Sequence, residues 1–404
     1  MSRFKVVVVL GMFFWPSPGQ SQGVQPESLP ASGTSRPISL GSVQIYPSLS
    51  IRDIGMDSNV YNSSQVIRDD FTYTVAPRVL AEMPVGNGRV VGTTDAGFVF
   101  FRDNKDQQSL NGSVRGLYDI RTGRVRPSVE VGLNRSRQRN GDIDVRALGV
   151  SRNGRAAIEV GLSGITSFTA WAGRDNTEFA PGQAFRGVDL SEQLDRKTTT
   201  FAAGARFDLT PLTSMVVAAE YEQLRFTVSR FRDSDSLRLT PTVRFGEGAV
   251  INGQAFVGVR DFRPVQPVMA PFRGLVAGGD LQYTLLGVTK FEGRVTRDIV
   301  YSYDELQPYY LDAGGQLTIS QRVVGPVDAI VLAGRRRLQY EARLDAGIEG
   351  RLETVTVYGG GFGVRVDDSM RMTFTVDREK RANTGPLLRQ YERTRVFVSL
   401  EYKP

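Results

Sequence analysis

The chain has 404 residues, a formal net charge of +7, 40% hydrophobic residues, no Cys and no His. The lack of Cys excludes a disulfide framework, a thiolate metal site and a lipoprotein anchor. After the N-terminus no apolar run reaches the roughly eighteen residues that a helical membrane span needs. Fifty residues are basic, six of them Lys and the rest Arg, a side chain that suits recognition of carboxylates, phosphates and sugars.

Residues 1–21 read as a secretory signal. Arg3 and Lys5 form a basic start, Val6 to Trp15 an apolar run too short to span, Pro16 ends it, and Gly19 and Ser21 suit cleavage. Residues 22–42, rich in Pro, Ser, Gly and Gln, form a flexible periplasmic lead-in without a core. From residue 43 to 404 the pattern changes to alternation in twos, which marks strands with one apolar face.

Val43 to Ile54 is the first strand, with Val43, Ile45, Pro47, Leu49 and Ile51 on its apolar face, and Gly55–Asp69 is the loop after it. Phe71 to Val79 returns to a tight turn at Gly86-Asn87, and Val90–Phe101 and Leu110–Ile120 follow. After Arg121-Thr122-Gly123, Val125, Pro127, Val129, Val131 and Leu133 oppose Arg124, Arg126, Ser128, Glu130 and Asn134. Asp142–Val150 reads as a short strand and Asn153-Gly154 as its two-residue turn. One parity then holds from Ala156 to Ala172, which reads as a single long strand projecting toward the loop Ala180–Arg196. Later hairpins turn at Thr210-Pro211-Leu212-Thr213, Gly246-Glu247-Gly248, Gly287, Gly325-Pro326 and Asp367-Asp368-Ser369. Thr354–Val366 is Gly-rich and its facing is ambiguous. The last strand carries Thr394, Val396, Val398, Leu400 and Tyr402 on one face, before Lys403 and Pro404.

These segments predict an all-β fold, a transmembrane antiparallel up-and-down β-barrel of about 18 strands, or 16 if Asp142–Leu162 does not span. The last strand pairs with the first and removes both edges. Pro47, Pro77, Pro127 and Pro241 count against strands, because each removes a ladder donor. A β-propeller would require blade-length repeats, and none occurs.

By parity the water-filled interior is lined by Arg52, Arg78, Arg124, Arg126, Arg206, Arg238, Arg244, Arg260, Arg294 and Arg371, with Glu130 and Glu292 among the acids. Such charges set a field for a permeant or pair across strands and stiffen the wall. Asp367-Asp368, Asp103-Asn104-Lys105-Asp106 and Asp57-Ser58-Asn59 could act as carboxylate or Ca²⁺ sites, with loop solvation the blander reading. Arg335-Arg336-Arg337 could meet lipid phosphates at the outer rim or simply be solvated. Membrane-barrel enzymes resemble one another in relying on His, which this chain lacks, so no enzyme, cofactor or metal site is expected.

Tyr46-Pro47-Ser48-Leu49-Ser50 followed by Gly55-Met56-Asp57-Ser58-Asn59-Val60-Tyr61 resembles the opening of the putative β-barrel porin-2 family. The family's motif maps onto Asp57, Asn59, Val60 and Tyr61. The resemblance implies an outer-membrane conduit for exopolysaccharide, working with a periplasmic polysaccharide-export protein. The alternatives are a general or anion-preferring porin and a structural or adhesive barrel with a plugged lumen. Further partners expected are outer-membrane lipid and lipopolysaccharide and the barrel assembly machinery, with no nucleic acid. A porin requires a loop folded into the pore, for which Ala180–Arg196 and Gly55–Asp69 are the longest candidates. A polymer conduit requires a wider lumen.

Overall fold

The computed structural model describes residues 37–120, 123–246, 248–384 and 389–404. The expected signal at 1–21 lies outside them, as do Arg121, Thr122 and Glu247 of two expected turns. Eighteen long strands form the wall. They are β1 Val43–Asp57, β2 Asp70–Val85, β3 Gly88–Phe101, β4 Ser109–Ile120, β5 Val125–Asn140 and β6 Ile143–Gly161. Then come β7 Thr166–Phe179, β8 Arg196–Thr210, β9 Thr213–Phe226, β10 Ser234–Phe245, β11 Ile251–Pro264 and β12 Phe272–Leu285. The ring ends with β13 Thr289–Tyr301, β14 Tyr309–Val324, β15 Val327–Glu341, β16 Leu352–Arg365, β17 Met370–Thr384 and β18 Tyr391–Tyr402. Each pairs antiparallel with the next, and β18 pairs with β1 from Leu49↔Tyr402 to Asp57↔Arg395, closing the sheet. Within the expected lead-in, Ile38–Leu40 forms a short strand on β1, opposite Val43–Ile45.

The outward face inverts the pattern of a water-soluble protein. Val129 is 50% exposed and Phe201 51%, whereas Arg238 and Arg260 are each 3% exposed. Apolar atoms face lipid and charges face the interior, as the period of two requires. The ambiguous strand β16 follows the rule, with Tyr358 and Phe362 exposed outward and Glu353 buried. Connections are short at the end that carries Val43 and Tyr402 and mostly long at the other, so the long-loop end is the outer one.

Three sequence readings change. The first strand does not stop at Ile54. A bulge at Arg52–Ile54, with Asp53 at φ 55°, shifts both ladders and carries β1 on to Asp57. Gly55 is required there, because a Cβ would overlap the Val396 carbonyl. Asn153-Gly154 is not a turn but lies inside β6, and the parity from Ala156 to Ala172 spans two strands. The turn falls at residues 162–165. Its four residues preserve parity, so the alternation reads straight through it. The strand total of eighteen is unaffected, since one turn moved.

The four prolines sit where a donor is not needed. The β2–β3 ladder skips Ala76 and Pro77, between Val75↔Phe98 and Arg78↔Asp95, without changing register. The β10–β11 ladder likewise skips Thr240 and Pro241. Pro47 lies below the end of the β18 ladder at Leu49, and Pro127 beyond the end of the β4 ladder at Ser128.

Facing has a direct test. Val129→Arg places a guanidinium in lipid and is expected to destabilise the barrel by about 2–4 kcal/mol near the bilayer midplane. Ser128→Arg faces the interior and is expected to be tolerated. Urea titration of refolded barrels separates the two; equal stabilities would mean the facing is wrong.

Candidate functional site

The wall charges come first, because the alternation of each strand fixes their position. Arg126 reaches Glu159 at 2.9 Å, and Arg206 reaches the same carboxylate at 3.7 Å across the intervening β7 and Asp208 at 2.8 Å. A contact that skips a strand lies on the concave side. Arg244 is within electrostatic reach of Arg206, Arg155 and Glu159. Arg155 stacks over Trp171 at 3.9 Å. This stretch of β5–β10 gathers Arg126, Arg155, Arg206 and Arg244 around Glu159 and Asp208, with Glu130 and Glu220 within electrostatic reach of Arg155; about Arg244 alone, Arg155 and Arg206 outnumber Glu159.

Elsewhere the charges mostly pair along or across strands. Arg78 faces Asp95 at 3.3 Å, Glu130 faces Arg115 at 3.4 Å, Arg294 faces Asp280 at 2.6 Å, and Glu292 holds Lys290 at 2.6 Å. Arg371 crosses β16 to reach Asp328 at 2.8 Å. Arg52 lies opposite Thr74 at the bulge of β1, and Arg124 lies exposed at the short-turn end, its carbonyl accepting from Gly161. Arg335 and Arg337 are exposed on the outer face of β15, while Arg336 points inward to Asp312, so the triplet does not act as one rim cluster.

Nearer the outer end the interior narrows. Arg238 and Arg260 both hold Asp298 at 2.8 Å, and Arg260 also holds Glu222 at 2.7 Å. Asp298 belongs to β13 but reaches β10 and β11, because β13 leaves the wall there. The β12–β13 ladder stops at Ala277↔Arg297, whereas β13 and β14 stay paired to Tyr301↔Tyr309. The hairpin end therefore leans over the pore.

An interlocked lid covers this narrowing. The loop between β7 and β8 carries a short ribbon, Ala184–Phe185 with Val188–Asp189, and the helix α1, Leu190–Leu194, capped by Asp189. Its Phe185, Leu190 and Leu194 are buried among Phe226, Phe262, Tyr301 and Tyr309 from other strands and Tyr303 from the β13–β14 connection. Phe226 meets Tyr301 edge-on at 5.0 Å and Phe185 meets Tyr303 at 4.7 Å. Arg232, fully buried between β9 and β10, donates to the carbonyls of Ser302, Pro308 and Asp304 and to Gln193. Burial pushes its pKa down to about 10.

The tip of the β5–β6 hairpin spans to the other side of the ring. Asp142 accepts from the Tyr303 backbone N–H at 3.0 Å, Arg381 donates to the Gly141 carbonyl at 2.9 Å, and Arg389 donates to Asp144 at 3.0 Å. Burial raises the pKa of Asp142 above the ordinary carboxylate value. At the centre is Glu353, with no exposed surface, held by Arg351 at 2.9 Å, by Arg381 and by Arg389 at 3.5 Å. Of the two loops expected to fold inward, 180–195 does so. The other keeps to the wall, with Val66 and Ile67 exposed.

The Asp57–Tyr61 motif is the outer clasp of the β1–β18 seam. Asp57 accepts from Arg393 Nε at 2.8 Å and from the Asn59 N–H at 3.1 Å. Asn59 donates to the Glu392 carbonyl at 3.1 Å, Val60 donates to the Arg68 carbonyl, and Tyr61 hydrogen-bonds Asp106 at 3.0 Å. The carboxylates suggested for Ca²⁺ are thus engaged with donors of the chain itself. Asp103 pairs with Arg102 at 3.1 Å, and Asp367 caps its own turn through Ser369 and Met370. Among the described residues no group of three such ligands converges. The residues that sequence reasoning missed, Arg232, Glu353, Arg351, Arg381 and Arg389, stand in loops or at strand ends where no period singles them out.

Comparison with known proteins follows the same lines. Pseudomonas aeruginosa OccK2 (OpdF), solved in complex with glucuronate, has 9% identity and a TM-score of 0.52, with 89% of this chain and 98% of that one covered. Pseudomonas aeruginosa OpdK with vanillate has 12% identity and a TM-score of 0.50, over 89% and 99% of the two chains. A BenF-like porin from Pseudomonas fluorescens Pf-5 has 10% identity and a TM-score of 0.48, over 90% and 100%. At these identities the likeness is one of fold. No curated protein matches. The family described as Putative beta-barrel porin 2 matches over residues 35–403, and the chain therefore belongs to it, as a porin-like channel of the outer membrane.

Proposed function

We propose that this protein is a gated porin for small, negatively charged solutes. The observation that carries the reading is the inward-folded loop 180–195, whose apolar side chains are buried over the pore together with segments from the opposite wall. Exopolysaccharide export would need a lumen wide enough for a polymer, and the crossing segments obstruct that path. The anion preference rests on the surroundings of Arg244, where Arg206 and Arg155 outnumber Glu159. A cleft lined by one sign of charge concentrates counter-ions, and the effect fades as salt shortens the Debye length to about 10 Å at 0.1 M.

Planar-bilayer recording tests the reading. At low salt the wild type is expected to conduct in brief openings, with a reversal potential favouring anions that collapses toward zero in about 1 M salt. Arg126→Ser and Arg244→Ser are expected to weaken the preference without changing assembly. Deletion of the protein should leave surface polysaccharide intact. Loss of that polysaccharide would restore the export reading, and a barrel that inserts but never conducts would establish the plugged one.

A further inference from the structure

Outside the pore, the outward wall of β6–β9 combines two features. The first is a groove. Ala156, Ala172, Ala203 and Ala219 form its floor, and Phe201 and Tyr221 line it. Larger side chains such as Leu239 and Val259 continue the band on β10 and β11. A depression in a hydrocarbon-facing wall loses dispersion contacts unless a chain fills it.

The second is a cluster of cations directly beyond the groove, toward the outer leaflet. Arg174 stands two residues past Ala172, about 7 Å along β7. Arg174 lies opposite Thr199, and Lys197 opposite Asn176, so Arg174 and Lys197 are diagonal neighbours on one face. Lys197 lies directly opposite Arg225 on β9. Like charges so placed repel. Arg225 has a carboxylate, Asp235 at 2.8 Å, but Arg174 and Lys197 have no ion pair among the described residues. Glu178 on the same face of β7 also acts on Lys197 but is already paired with Arg152 at 2.7 Å, so four cations, Arg152 included, face two carboxylates, Glu178 and Asp235.

We propose that this face binds one phosphorylated glycolipid of the outer leaflet, with acyl chains in the alanine groove and a phosphate between Arg174, Lys197 and Arg225. The occupant follows from the two features together: an anion accounts for the cations, and only one attached to hydrocarbon accounts for the groove beside them. A second copy of this chain would present the same excess of cations and repel.

The test is native mass spectrometry of the full-length barrel extracted from a Gram-negative outer membrane. The wild type is expected to retain one phosphorylated glycolipid per barrel. Delipidated protein is then titrated with diphosphoryl lipid A in detergent. The double variant Arg174→Gln with Lys197→Gln should bind about tenfold more weakly, and so should Ala172→Phe, which fills the groove and leaves the cations in place. Arg335→Gln with Arg337→Gln, on β15, should bind like the wild type. Heat-modifiable gel mobility shows that each variant is folded. Equal weakening in the β15 variant would reduce the effect to general surface charge and overturn the site. So would undiminished binding by Ala172→Phe, or extraction of the barrel as a lipid-free oligomer that Ala172→Phe breaks.

Discussion

Glu353→Ala is expected to release the outer lid while the wall stays closed. The carboxylate is wholly buried and faces Arg351, Arg381 and Arg389. Removing one member of a buried ionic group leaves the others in low dielectric without their partner, at a cost of about 3–5 kcal/mol. That cost falls on lid docking, because Arg381 and Arg389 are also the residues that grip Gly141 and Asp144 at the β5–β6 tip. Glu353 and Arg381 belong to the wall strands β16 and β17, but truncating the Glu353 side chain leaves their backbone rungs in place. The variant should therefore keep the heat-modifiable mobility of a closed barrel. Its 180–195 loop should become sensitive to protease, and its channels should stay open for a larger fraction of the record. Wild-type protease resistance together with wild-type gating would show that the lid is held elsewhere.

Asp57→Ala is expected to act on closure of the wall instead. Asp57 is 2% exposed and forms a two-point contact with Arg393 where the first and last strands meet. The same carboxylate fixes the Asn59 N–H, and Asn59 in turn ties the loop to Glu392. Its loss should again cost about 3–5 kcal/mol, seen as a lower urea midpoint and as slower appearance of the closed form on refolding. Arg378→Ala is the control. Its partner Glu392 is 44% exposed, and such surface pairs contribute about 1 kcal/mol or less. Similar losses for the two variants would mean that the Asp57 clasp contributes no more than a surface pair.

What was legible in the sequence follows from what repeats. Val125 to Leu133 betray their facing because a strand turns each side chain by half a revolution, and the same period places Arg126 and Glu130 in the interior. Closure was legible in Thr394–Tyr402, a final strand with one apolar face that needs a partner. The turn at 162–165 was hidden by its even length, and Asn153-Gly154 drew the turn assignment because that dipeptide favours one elsewhere. The lid was illegible for a different reason. Arg232 satisfies mainly backbone carbonyls, which carry no residue identity, and Arg389 meets Asp144, 245 residues away, only after the chain has curled round. The Asp57–Tyr61 motif stood out in the sequence, but its use as a clasp depends on Arg393, 336 residues away.

The early end of the β12–β13 ladder has a mechanical consequence. Above Ala277↔Arg297 the wall has a notch, and the Arg297 side chain caps one stranded carbonyl there, that of Leu275, at 3.1 Å. The end of β13–β14 is thus a paddle, free along its β13 edge and carried along the other by β15, with which β14 stays paired up to Tyr309↔Glu341. Its motion breaks no rung of the β12–β13 ladder but must bend the β14–β15 ladder that carries it. Besides those rungs, the resistance to that motion comes from side chains: Asp298 in the grip of Arg238 and Arg260, and the aromatic rings around Tyr301. A ligand whose carboxylate displaces Asp298 from those two arginines would unlatch the paddle by the same chemistry that binds it.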